Sequence, residues 1–309
     1  MAGQSLRGKK IVVTGATGQV GGPVAAALAA DNEVYGAARF SDTAARDRLE
    51  AAGVRCVAMD LATGDVGALP ADADVVLHFA VAKTNDWDRD LQANVAGLAF
   101  LMEHHRDAGA FLHCSSAAVY RGADDRAIVE TDQLGDNHGV WPFLRTYSIC
   151  KISAEATARW GAQRFGLPTT IARLSVPYGP QGGWPAVHLE MLINGSDIPV
   201  YDGPARYHPI HIDDIVGTVP GLLAAAAVPA TVVNWGGPAV SIQEWCTHLG
   251  DLTGLTPSFR PTLDTIPSGH LDLTRLDQLV GRTATDWVDW KDGFRDMVAH
   301  RHPELLAPA

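Results

Sequence analysis

The strand-turn-helix between Ile11 and Leu28 sets the tightest limits on what this chain can fold into. Three apolar residues, Ile11, Val12 and Val13, run into the turn Thr14-Gly15-Ala16-Thr17-Gly18-Gln19-Val20-Gly21, and an alanine-rich helix follows from Pro23 to Ala30. In such a turn Gly15 permits the sharp reversal, Gly18 lets a pyrophosphate approach bare backbone, and Gly21 lets the helix lie close against the strand. The helix start offers free N–H groups, so the arrangement fits a dinucleotide. Glycines at this spacing also mark ordinary turns. Here a buried strand precedes them, a helix follows, and a second strand, Glu33 to Ala38, arrives on schedule.

The same strand-helix rhythm continues through the first half. Asp42 to Ala52 reads as a helix, Val54 to Met59 and Asp74 to Phe79 as strands, Leu91 to Arg106 as a long helix, Ala110 to Cys114 as a strand, Thr146 to Phe165 as a helix and Thr169 to Leu174 as a strand. That alternation predicts an α/β fold, a parallel sheet wound with helices on both faces. The segment Arg121 to Arg145 breaks the rhythm and is too long for a simple connector. It is expected to be a substrate-side loop, with core packing of Trp141 and Phe143 as the alternative. From Pro177 onward Gly and Pro become dense, which marks a second, smaller α+β domain. The expected division is 1–176 for the dinucleotide half and 177–309 for the substrate half, with segments near 211–235 returning to the first.

With 309 residues, 47% of them apolar and 19% charged, the chain has enough apolar material for sizeable cores. A net charge of -11 without a basic run argues against a nucleic-acid or anionic-membrane partner, because phosphates must be met by clustered Lys and Arg. Cys56, Cys114, Cys150 and Cys246 are widely separated, which gives no zinc-type spacing and no disulfide framework. The expectation is a cytoplasmic protein with neither signal segment nor membrane anchor.

Two further stretches carry chemistry. Tyr147 and Lys151 stand one helical turn apart in Tyr147-Ser148-Ile149-Cys150-Lys151 and so share a helix face. A free phenol is a poor base at neutral pH, and a nearby cation favours its phenolate form. Phe111 to Ser116 carries a strand into two hydroxyls at the carboxyl end of the sheet, where open α/β folds bind ligands. Ser116 can donate a hydrogen bond there. Its plainer reading is a cap or turn serine, as that of Tyr147 and Lys151 is a pair on an amphipathic surface.

With these motifs in order, the chain resembles the extended short-chain dehydrogenase/reductases, the NAD-dependent epimerase/dehydratase family. Thr14 to Gly21 matches the family's glycine turn, His113 to Tyr120 its serine strand, Tyr147 to Lys151 its Tyr-x-x-x-Lys, Arg173 to Pro180 its junction between domains, and His208 to Asp214 its later His-x-Asp-Asp stretch. The resemblance implies a Rossmann fold. It implies Tyr147 as acid and base, Lys151 holding the nicotinamide ribose, and Ser116 polarising the reacting oxygen. It places the cofactor against Gly15, Gly18, Gln19, Val20, Gly21, Arg39, Asp60, Leu61, Phe79, Ala80, Val81 and Lys83, with Asn94 in support and Ser175 and Val176 at the junction. It also implies a homodimer through the Leu91 and Tyr147 helices.

Where NAD-preferring relatives carry an acidic residue at the end of the second strand, this chain has Arg39, which suits a 2′-phosphate. NADP is therefore favoured over NAD, the alternative being an Arg39 that turns away while Asp42 serves the ribose. Ser116-Ala117-Ala118 replaces the Thr-Asp-Glu of the family's sugar dehydratases, which excludes that reaction. Val176 and Tyr207 replace an Asn and an Arg that contact a sugar-nucleotide diphosphate, leaving Arg206 or Arg173 as substitutes. Trp141, Tyr147, Tyr178 and Trp184 suggest a more apolar pocket, with second-domain core as the other role for Trp184.

The expected function is NAD(P)-dependent hydride transfer to or from a small, non-nucleotide carbonyl or secondary alcohol. The alternatives are a nucleotide-sugar epimerase with retained cofactor and a non-catalytic dinucleotide sensor. No metal is expected: His208, His211, Asp213 and Asp214 read as a turn and helix start. His104, His105, Glu130, Asp132 and Asp136 read as solvated, and Asp286 to Asp292 as an amphipathic segment packed on the second domain.

Overall fold

The computed structural model describes residues 6–122, 126–281 and 286–306. The first half contains, in order, β1 (Lys10–Thr14), α1 (Gly21–Ala29), β2 (Glu33–Ala38), α2 (Thr43–Ala51), β3 (Arg55–Ala58), β4 (Val75–His78), α3 (Trp87–Leu91), α4 (Gly97–His104), β5 (Ala110–Ser116), α5 (Tyr147–Phe165) and β6 (Thr169–Leu174). There follow β7 (Val176–Gly179), β8 (Gly182–Gly183), α6 (Trp184–Ile193), β9 (Ile198–Tyr201), β10 (Pro209–His211), α7 (Ile212–Ala224), β11 (Thr231–Trp235), α8 (Ile242–Thr253), β12 (Phe259–Thr262), α9 (Thr274–Val280) and α10 (Trp290–Arg301).

The central sheet has seven strands in the order β11-β6-β5-β4-β1-β2-β3, and every pairing in it is parallel. It is the doubly wound Rossmann sheet expected from the alternating pattern. One apolar core fills one side with Ile11, Val13, Leu77 and Leu112; another fills the opposite side with Val12, Val76, Phe111 and Leu101. Neighbouring residues of one strand thus point to opposite cores, which is why the strands read as unbroken apolar runs. The chain order reverses between β1 and β4. The crevice for a ligand therefore opens where Thr14 and His78 end their strands.

The predicted long helix is broken. It starts earlier, at Trp87, because the Asp86 carboxylate accepts from the Arg89 N–H at 3.0 Å and caps it, and Gln92–Ala96 form one π-helical turn between α3 and α4. Strand β5 runs past Cys114 to Ser116, since Ser115 and Ser116 pair with Arg173 and Leu174.

Strand β11 returns to the edge of the central sheet. The later segments build a third core around Leu189, Ile198, Trp245, Leu249, Phe294 and Met297. It is bounded by a parallel pair, β9 with β12, and by the small sheet β10-β7-β8. Trp290 packs on this core, as the amphipathic reading predicts, but Trp287 packs on the first one.

Among the described residues no helix is long and apolar enough to cross a membrane, and all four cysteines are free thiols.

Candidate active site

Gly15 adopts φ +71°, and a Cβ there would lie 2.7 Å from the backbone nitrogen of Ala80, so a side chain would collide with the loop after β4. A Cβ on Gly21 would strike the Gly15 carbonyl. These two close approaches fold the turn tightly over the end of β1, and no side chain caps the helix that follows. The free N–H groups expected at the helix start are mostly taken up within the turn, because the Gly22 and Val24 N–H groups donate to the Gly18 and Val20 carbonyls at 3.0 and 3.3 Å and Pro23 has none.

Thr14 and His78 lock the switch point, with Thr14 Oγ1 and His78 Nδ1 2.7 Å apart and the Ala80 N–H donating to Thr14 Oγ1 at 3.3 Å. Burial, and then the nearby Lys151 cation, push the His78 imidazole down to about 3, so it stays neutral.

A crevice of about 470 Å³ runs along these ends. Its walls include every residue of the glycine turn, β2 end and β4 loop that the resemblance assigned to the cofactor: Gly15, Gly18, Gln19, Val20, Gly21, Arg39, Asp60, Leu61, Phe79, Ala80, Val81, Lys83 and Asn94. Arg39 is exposed at its rim. Asp42 is occupied elsewhere, as cap of α2, where its carboxylate accepts from the Ala44 N–H at 3.0 Å. Asp60 accepts from the Ala62 N–H at 3.0 Å and pairs with Arg89 at 2.9 Å. Asn94, in the π-helical turn, holds Ala82 by both backbone groups, at 2.8 and 2.7 Å. The shape of the crevice and the bare backbone of the glycine turn fit a dinucleotide.

A second cavity of about 450 Å³ adjoins the first through shared walls at Gln19, Val81 and Lys83. Ser116, Tyr147, Ser175 and Val176 line it. Ser116 Oγ accepts from the Ala118 N–H at 3.1 Å, which caps a short turn and leaves the hydroxyl proton to donate. Lys151 lines neither cavity. It is buried below the phenol, its Nζ donating to the Cys114 carbonyl at 2.7 Å and lying 5.9 Å from the Tyr147 ring centre.

Trp141, Trp184 and Tyr207 form the apolar wall, with Trp141 and Trp184 edge to face at 5.8 Å and Trp184 and Tyr207 at 5.1 Å. Trp184 serves both readings, since it also packs on the third core. Phe143 lies against Trp141 with its ring 61% exposed and outside the cavity. Tyr178 is not a pocket residue: it is buried against Phe294 at 4.8 Å.

Arg173 cannot serve a diphosphate either. Its guanidinium is buried and held by Glu155, by the Tyr120 hydroxyl and by the Glu130 carbonyl. Arg206 does not line the cavity.

His208 bonds the Gly237 carbonyl and the Leu271 N–H, His211 caps α7, and Asp214 accepts from the Val288 N–H, so these residues tie the junction together. Of the residues expected in solvent, one is buried and another is half-buried and bonded. His105 is fully buried against the Leu101 carbonyl, and Glu130 accepts from the Asn234 N–H at 2.9 Å. Asn137 and His138, which no sequence pattern singles out, line the second cavity. Their loop has no period, and its excess length is the only signal it carries.

Residues 11–236 match the model of the NAD dependent epimerase/dehydratase family. The chain belongs to that family. No curated protein sequence matches it significantly. Among solved structures, this chain is similar to UDP-glucuronic acid 4-epimerase from Bacillus cereus, in complex with UDP-glucuronic acid and NAD, at 21% identity and TM-score 0.80, over 94% of this chain and 98% of that one. It is similar to UDP-N-acetylglucosamine 4-epimerase from Methanobrevibacter ruminantium M1 at 18% identity and TM-score 0.81, over 97% and 100%. It is also similar to UDP-glucose 4-epimerase from Thermotoga maritima, with UDP-glucose, at 20% identity and TM-score 0.78, over 96% and 99%. At such identities the likeness carries the fold and nothing finer.

Proposed function

We propose that the protein moves a hydride to or from a carbon bearing a hydroxyl or carbonyl, using a bound nicotinamide dinucleotide. The observation that carries this reading is that Ser116 and Tyr147 face one cavity, which shares the walls Gln19, Val81 and Lys83 with the glycine-lined crevice. The dinucleotide, when bound, supplies or accepts the hydride. Tyr147 exchanges the proton of the reacting oxygen, Ser116 donates a hydrogen bond to that oxygen, and Lys151 sets a positive charge beneath the phenol. Residues 1–176, with the returning segment 211–235, would hold the dinucleotide, and 177–309 the substrate.

The comparisons favour a nucleotide sugar over a small non-nucleotide substrate, because the similar structures carry UDP-sugars. On that reading the site is an epimerase that oxidises and re-reduces one carbon with its cofactor retained. The cavity lining favours the second reading, an oxidoreductase of a small non-nucleotide carbonyl. Lys83 is the one Lys or Arg on it among the described residues, and the rings of Trp141, Trp184 and Tyr207 line it as well. Arg39, exposed at the crevice rim, supports NADP, although the similar structures named with a dinucleotide hold NAD. The exposed Trp87, Leu91, Phe100 and Trp160 on α3, α4 and α5 support a homodimer through these helices, which a monomeric mass in solution would refute.

Steady-state coenzyme turnover separates the two substrate readings. Incubation with UDP-glucose should yield UDP-galactose with no net change in coenzyme absorbance if the first is right. Stoichiometric loss of NADPH with a simple carbonyl supports the second. Tyr147→Phe should stop either.

A further inference from the structure

The geometry points to Asn137 and His138 as a hydrogen-bonding pair that selects a substrate carrying an additional hydroxyl close to the oxygen held by Ser116 and Tyr147. This rests on the hydride-transfer reading and adds to it a requirement that neither Tyr147 nor Ser116 imposes. Both residues line the second cavity. Asn137 Oδ1 and His138 Nδ1 are buried and have no hydrogen-bond partner, whereas polar atoms sealed in a protein are nearly always paired.

The backbone holds their loop in place. The His138 N–H donates to Ser148 Oγ on α5 at 3.1 Å, and the Trp141 N–H returns to the His138 carbonyl at 2.9 Å. The loop is thereby pinned to the helix that carries Tyr147. The His138 ring centre lies 5.5 Å from that of Tyr147 and 6.1 Å from that of Trp141.

The chemistry of the pair narrows its ligand. Burial pushes the His138 imidazole down to about 4, so near neutral pH the ring is uncharged and offers one donor and one acceptor. Asn137 Oδ1 can only accept. An uncharged acceptor beside a neutral imidazole suits a hydroxyl, which both donates and accepts. It suits a carboxylate or phosphate poorly, because the pair brings no compensating charge.

The test compares substrates that differ by one hydroxyl: 2-hydroxyacetophenone against acetophenone with NADPH or NADH, and UDP-glucose against its 3-deoxy analogue with retained cofactor. The wild-type chain should prefer the hydroxylated member of the pair it turns over by at least about tenfold in kcat/KM. His138→Phe and Asn137→Leu should erase the preference, costing the hydroxylated member about tenfold more than the deoxy member while dinucleotide affinity stays within about twofold, and His138→Gln should restore part of it.

Equal losses on both members of a pair would mark the two residues as merely structural, and an unchanged preference would show that they face bound water only; either result overturns the proposal. If the wild type binds dinucleotide but turns over neither pair, the hydride-transfer reading beneath it falls instead.

Discussion

The guanidinium of Arg173 lies flat against the carboxylate of Glu155, with Nε to Oε1 at 2.8 Å and Nη2 to Oε2 at 2.7 Å, and both side chains are almost completely buried. The pair joins β6 to α5, the helix that carries Tyr147 and Lys151. Ser115 donates to the same carboxylate at 2.6 Å, and the Tyr120 hydroxyl accepts from the guanidinium at 2.8 Å. Removing one partner leaves an uncompensated charge in the core, which costs about 3–5 kcal/mol. Glu155→Ala is therefore expected to lower the thermal midpoint sharply. A melt unchanged from wild type would show that the pair contributes nothing to stability.

Tyr147→Phe keeps the ring beside Lys151 and deletes the hydroxyl. Loss of a positioned acid or base lowers turnover by roughly 10²–10⁴-fold, whereas the crevice walls are untouched. Dinucleotide affinity by fluorescence titration should stay near wild type while steady-state turnover collapses. Parallel loss of both would assign Tyr147 to binding rather than to proton transfer.

The parts of the molecule legible in the sequence are those with a period or a motif. β2 and β6 match their predicted bounds, because turn residues open each of them, Asp31-Asn32 before β2 and Gly166-Leu167-Pro168 before β6. The pairing of β9 with β12 has no such mark: the strands are short and far apart in the chain, and only the tertiary fold brings their backbones together. Tyr178 stands beside the dense Gly and Pro of the junction, and no local pattern distinguishes a ring facing a cavity from one facing Phe294. Arg173 reads as a free cation because its partner Glu155 lies in another element, one turn beyond Lys151. Asn137 and His138 sit in a loop, where burial follows from what the loop covers and not from its own residues.

Arg39 makes no hydrogen bond or ion pair with another described residue and faces the crevice, so a 2′-phosphate would be met without breaking an existing contact. A hydrogen bond to a charged group contributes about 1.5–3 kcal/mol, which corresponds to at least about tenfold in affinity. Arg39→Ser is expected to weaken NADPH binding by that factor and to leave NADH binding nearly unchanged. Equal dissociation constants for NADPH in wild type and variant would remove the argument for NADP.

Acid should destabilise the fold well above the carboxylate range. Burial pushes His105, His188 and His208 down to about 4 and His78 to about 3, below the ordinary histidine value of 6.5. Between those values the unfolded chain binds protons that the folded chain refuses, so stability rises with pH through this window and is lost as pH falls from about 6.5 to about 4. Every tenfold by which folding weakens the proton affinity of such a ring corresponds to about 1.4 kcal/mol of stability at neutral pH. Thermal midpoints measured from pH 8 to pH 4 should be level at first and fall steadily below about 6.5. A flat profile down to pH 5 would contradict neutral burial of these rings.

Asp90 ties the loop after β4 to the start of α5. The carboxylate is fully buried and accepts from the Thr84 N–H at 3.0 Å, the Thr84 hydroxyl at 2.7 Å, the Asn85 N–H at 3.0 Å and the Thr146 hydroxyl at 2.6 Å. Burial alone would raise its pKa, but the hydrogen bonds from Thr146, Thr84 and Asn85 hold it below the usual carboxylate value. Thr146 immediately precedes Tyr147, and Thr84 and Lys83 line the crevice. Asp90→Asn turns an amide toward donors and leaves at least one unpaired, at about 1–3 kcal/mol for each. Thr146→Val removes a single bond and is the milder variant. It is expected to fold and to bind dinucleotide normally, yet to lower kcat several-fold with little change in KM, because the phenol loses its anchor while the cavity walls remain. A kcat equal to wild type would show that the clamp steadies the loop without steering Tyr147.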